Sequence, residues 1–155
     1  MKRSVFLAVG AVAGLVPAWA GAVEPRIPSA ISQQIACTAP PTPADMLTLL
    51  QRSSMIGRRP AMVSDSMSFF KVRKPLTVDG LPVVAVFGFD ETGEFPFARG
   101  PGTSPGQVFG ITTATDSAAL ERWIRNHPGK FILVDTPSAL GAGLTDVYCS
   151  RRPGD

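Results

Sequence analysis

Apolar residues change rhythm several times along this chain, and each change marks an element. In "TPADMLTLLQRSS", Met46, Leu47, Leu49 and Leu50 recur at helical spacing. Thr42 is placed to cap that helix and Pro43 suits its first position. Asp45 falls in the first turn, where a negative charge meets the positive end of the helix dipole. The pattern predicts a helix over 43–54 that ends before Gly57.

The rhythm then shortens. In "MSFFKVRKPLTVDGLPVVAVFGFD", Asp79-Gly80 is the dipeptide of a two-residue hairpin turn, because both residues accept positive φ. That turn places Val78 opposite Leu81, Leu76 opposite Val83, Val72 opposite Phe87 and Phe70 opposite Phe89. Pro75 and Pro82 cannot donate to a ladder and mark an edge or a bulge near the turn. Residues 82–89 are apolar on both faces, which predicts a central strand.

From Glu91 to Gly106 the pattern collapses into Gly and Pro, and a long loop is expected. "QVFGITTAT" resumes as a strand. Asp116 caps the helix "SAALERWIRN", which buries Leu120, Trp123 and Ile124 and pairs Glu121 with Arg125 on its outer face. Pro128 and Gly129 stop it; "FILVDTP" reads as a buried strand and "LTDVYCSR" as a final one. Strand, helix and strand over 107–135 suggest a βαβ unit. The sum is a single small α+β domain over 42–150, with a tail at 151–155. It has two helices on a mostly antiparallel sheet of about five strands, in the order α-β-β-β-α-β-β.

The start of the chain has a different character. Lys2 and Arg3 precede an uncharged run from Ser4 to Val16, Pro17 breaks it, and Ala18-Trp19-Ala20 and Ala20-Gly21-Ala22 offer small-x-small cleavage sites. This is the layout of a bacterial secretory signal peptide over 1–22, cut after Ala20 or Ala22. The run is 13 residues long, short of the roughly 20 a spanning helix needs. A periplasmic or secreted protein is expected, with no transmembrane span once the signal is removed. Residues 23–41 are rich in proline and read as an extended lead-in.

Export changes how charge and sulfur are read. Losing Lys2 and Arg3 leaves 13 of the 15 basic residues against 12 acids. The basic excess is then nearly gone, and nucleic acid is not an expected partner. The two cysteines, Cys37 and Cys149, would meet in an oxidising compartment and close the domain as a disulfide.

Candidate chemistry is thin. Gly102-Thr103-Ser104-Pro105-Gly106 matches G-x-S-x-G, but the residue after the serine is proline, which has no N–H for an oxyanion hole. His127 is the sole histidine and sits in the last turn of a helix. With the cysteines paired, ligands for a zinc site are lacking. Asp90, Glu91 and Glu94 lie in a turn whose spacing does not match an EF-hand. No catalytic residue, metal or cofactor is assigned.

Arg58, Arg59, Lys71, Arg73 and Lys74 form a local basic group, which fits an anionic partner or a strand edge guarded by charge. In the loop, Phe95, Phe97 and Arg99 have the composition of a binding hot spot, unless the phenylalanines fold back into the core. The leading expectation is an accessory protein of the bacterial envelope. It would bind another protein or an anionic surface through the 91–106 loop, using Phe95, Phe97, Arg99 and Arg73. Two alternatives stand beside it: a small periplasmic enzyme acting on a glycan through carboxylates such as Asp90 and Glu94, and a structural envelope protein without a specific ligand.

Overall fold

The structure is a computed structural model that describes residues 26–100 and 104–151. The proposed signal peptide lies outside the described residues. The expected extended lead-in does not extend: Arg26–Ile35 is a helix, α1. Ile27, Ile31 and Ile35 recur every fourth residue and are buried. Pro28 is tolerated because the first turn of a helix needs no N–H donors. The helix closes with Cys37 at a φ of 53°.

Gln34 ties α1 to the next helix. Its amide accepts from the Thr42 backbone N–H at 2.9 Å and donates to the Thr42 hydroxyl at 2.6 Å. Thr42 therefore does not cap with its side chain. Pro43–Arg52 forms α2 and buries Met46, Leu47 and Leu50.

The sheet contains β1 (Met62–Ser64), β2 (Met67–Lys71), β3 (Thr77–Val78), β4 (Leu81–Phe89), β5 (Gln107–Thr113), β6 (Ile132–Asp135) and β7 (Thr145–Arg151). The order across it is β1-β2-β4-β5-β7-β6, with β3 also on β4. Every described neighbouring pair is antiparallel. The α+β class stands, with three helices and seven strands among the described residues instead of two and about five. The helix α3 (Ser117–Asn126) carries the chain from β5 to β6, and β7 inserts between those two strands. The expected βαβ unit is thus split by a strand. As an edge strand, β6 is not buried as expected: Leu133 is 44% exposed.

The hairpin at Asp79-Gly80 forms with the expected register next to the turn, Val78 opposite Leu81. Farther out the register fails. Phe70 faces Val86, not Phe89, and Phe69 faces Phe87. Residues 73–75 leave the ladder, so the pairing slips by three positions. An odd slip exchanges the faces of the sheet. Phe70 accordingly joins the cluster under the helices, with Ile31, Leu47, Val86, Phe109, Ile111 and Val147. Phe69 and Phe87 stack at 4.6 Å in a second cluster with Val108. Gly110 makes that stack possible, since a Cβ there would lie 2.4 Å from the Phe87 ring.

The two cysteines are bonded, with Cα atoms 5.3 Å apart across 112 residues of sequence. The bond fastens the end of α1 to β7. Arg151 adds a hydrogen bond to the Cys37 carbonyl at 3.1 Å and lies over the Phe131 ring. In the loop-closure account, a bridge across about 100 residues contributes about 4.7 kcal/mol by restricting the unfolded chain.

Candidate functional site

The excursion that breaks the β2–β3 ladder also builds a recess. After Lys71 the chain keeps one bond to β4, from the Val72 N–H to the Val84 carbonyl at 3.1 Å. The next N–H turns away: Arg73 donates to the Met55 carbonyl at 2.8 Å, and Val72 bridges Ile56. Pro75 has no N–H to bring the chain back. The ladder resumes only where Val83 donates to Leu76. Arg73 is thereby carried off the sheet and onto the loop that follows α2, while Lys71 ends β2.

That loop is held from the other side by Gln51, whose amide donates to the carbonyls of Gly57 at 3.2 Å and Arg58 at 3.3 Å. Gly57 leaves room for the Arg73 side chain, because a Cβ there would sit 3.0 Å from its guanidinium. The result is an open pocket of about 650 Å³ lined by Gln51, Arg52, Ser54, Ile56, Gly57, Arg58, Arg59 and Arg73. Four arginines and no acid are among its described lining residues. Ile56, almost fully buried, lies beneath it. Lys74 stands beside the pocket and donates to the Ser53 carbonyl at 3.4 Å. From Gln51 to Lys74 six basic residues face a single acid, Asp65. The basic group is not guarding a sheet edge, because β2 lies between β1 and β4. Guanidinium is always charged, weakly hydrated and shaped to grip the oxygens of carboxylate or phosphate in pairs.

The 91–106 loop takes another role. Phe95 is 6% exposed, meets Phe70 edge-on at 5.8 Å and contacts Phe97 at 4.8 Å. Phe97 also packs on Phe89. Phe95 is thus buried and Phe97 partly buried against the core, the alternative the sequence left open for these two residues: a loop beside an open sheet end covers it with its own aromatics. Arg99 is exposed and lies outside the arginine pocket. Asp90 accepts from the Thr92 N–H and hydroxyl at 3.1 and 2.9 Å, so its carboxylate organises the turn. Glu94 is exposed.

Two other constellations escaped the sequence reading. Asp146 and Asp135 are cross-strand neighbours on β7 and β6 and line a pocket of about 440 Å³ with Asp65, Phe69 and Thr136. Asp146 is buried and accepts from the Thr112 hydroxyl at 2.5 Å and the Ala139 N–H at 3.4 Å. Tyr148 donates to Asp135 at 2.9 Å. Burial raises the Tyr148 hydroxyl well above its ordinary range, helped by its bond to Asp135, so it remains a donor. These bonds pin the 136–144 loop across the helix-free face. Near the Asp79-Gly80 hairpin, His127 stacks on Trp123 at 4.3 Å, and its Nε2 lies 3.5 Å from Asp79. Asp79 also accepts from Ser32. The carboxylate stands between serine and histidine, so the imidazole does not contact the serine, and the trio ties α1, the hairpin and α3 together.

No protein-family model, no curated protein and no solved structure matches this chain. No helix among the described residues is long and apolar enough to cross a membrane.

Proposed function

We propose that this is an exported, disulfide-closed binding protein of the bacterial envelope that holds an anionic partner in the pocket of Arg52, Arg58, Arg59 and Arg73. One observation carries the reading: four arginines line one recess, with no acid among its described lining residues. Like charges drawn together without a counter-charge repel one another, and an anionic ligand relieves that repulsion. The disulfide supports residence outside the cytoplasm, where such bonds persist. Binding rests on the α2 corner and uses Arg73, while Phe95 and Phe97 pack against the core. No catalytic role is proposed.

Calorimetric titration with tripolyphosphate tests the pocket. Binding should weaken as salt rises, because exposed charges are screened over about 10 Å at 0.1 M ionic strength. It should disappear in Arg58→Ala/Arg73→Ala and survive in Arg99→Ala. Absence of binding, or equal affinity in the double variant, refutes the reading. Export is checked separately by N-terminal sequencing of protein recovered from cells, which should begin at Gly21 or Val23. A retained Met1 contradicts it.

A further inference from the structure

We infer that the anion held by the arginine pocket is the phosphate of a lipid, and that the adjoining apolar cleft receives the start of its hydrocarbon chain. The inference rests on the anion-binding reading above. Its basis is a second recess immediately behind the first. Ile27, Pro28, Met55, Lys74, Pro75, Leu76 and Thr77 line a cleft of about 230 Å³. The two recesses share one thin wall, made of two chain segments joined by the Arg73 N–H to Met55 carbonyl bond at 2.8 Å. Residues along both segments alternate between the recesses. Ser54, Ile56 and Arg73 face the basic one, and Met55 and Lys74 face the apolar one.

Charge and apolar surface divided across one wall fit an amphiphile. A free phosphate would use the arginines and leave the cleft unexplained. A purely apolar ligand would leave four guanidinium groups unanswered. A lipid with a phosphate headgroup answers both, and Lys74, beside the pocket and lining the cleft, stands near the junction of head and chain. The cleft is small, so it takes the first part of a chain and leaves the rest in the bilayer. The protein then docks at a membrane surface without extracting its lipid. Basic clusters are drawn to anionic leaflets in the same way, and here the cleft adds the apolar share of the contact.

The test compares two probes on the full mature protein. One is phosphatidylcholine vesicles with and without phosphatidylglycerol; the other is soluble glycerol phosphate. Wild-type protein should bind phosphatidylglycerol vesicles at least tenfold more tightly than phosphatidylcholine alone. Met55→Glu should lose at least tenfold on vesicles and keep its affinity for glycerol phosphate. Thr77→Glu, at an exposed position in the same cleft, should do the same without risk to the core. Arg58→Glu/Arg73→Glu should lose both probes. If glycerol phosphate binds but phosphatidylglycerol adds nothing to the vesicles, or if Thr77→Glu keeps full vesicle binding, the lipid inference falls and the anion-binding reading stands. If neither probe binds wild-type protein, both fall.

Discussion

The 91–100 loop and the corner formed by residues 53–59 and 72–75 are both irregular segments beside the sheet, and they end in opposite roles. The loop offers Phe95 and Phe97, and both turn inward against Phe70 and Phe89. The corner offers Arg58, Arg59 and Arg73, which remain at the surface and, with Arg52, line a recess. The difference lies in what each side chain gains by leaving water. Burying a phenylalanine contributes about 1.5–3 kcal/mol, whereas an unpaired guanidinium loses far more on desolvation. In an irregular segment, aromatics are therefore recruited to the core, and the charged residues are left to meet a partner.

Five substitutions sharpen that contrast. Phe95→Ala should have the largest effect, lowering stability by about 3–5 kcal/mol as a buried aromatic does, with anion affinity unchanged in the folded fraction. Denaturant unfolding measures it. A loss below about 0.5 kcal/mol, the range of an ordinary surface change, would return Phe95 to the surface and revive the loop as a contact site. Gln51→Ala should cost about 1 kcal/mol, since its amide serves two backbone carbonyls. It should also weaken tripolyphosphate binding severalfold by freeing the loop that carries Arg58. Arg73→Ala should change stability by no more than about 0.5 kcal/mol while lowering anion affinity about tenfold, and Arg99→Ala should alter neither. Gly57→Ala should have the smallest effect that can be measured. The added methyl presses on the Arg73 guanidinium, which yields, and calorimetry should show a slight loss of affinity with an unchanged thermal midpoint.

Sequence made the local features legible. Asp79-Gly80 set the turn, Asp116 capped α3 through the Ala119 N–H at 2.8 Å, and the two cysteines pointed to their own pairing. What stayed hidden depended on partners distant in the chain. The helix α1 was obscured by Pro25 and Pro28, although Ile27, Ile31 and Ile35 already held a helical period. The slip in the β2–β4 register required knowing that the Arg73 N–H prefers the Met55 carbonyl to its place in the ladder. No local pattern reports that choice. Of the site, Arg58, Arg59 and Arg73 stood out as a charge group. Arg52 and Gln51 did not, because they end a helix whose orientation only the folded corner determines.

The most direct measurement is a titration of tripolyphosphate followed through the Nε–Hε resonances of the arginines. The account predicts saturable shifts confined to Arg52, Arg58, Arg59 and Arg73, with Arg99, Arg122 and Arg125 unmoved. Shifts that fall on Arg99, or that spread evenly over all arginines without saturating, would contradict it.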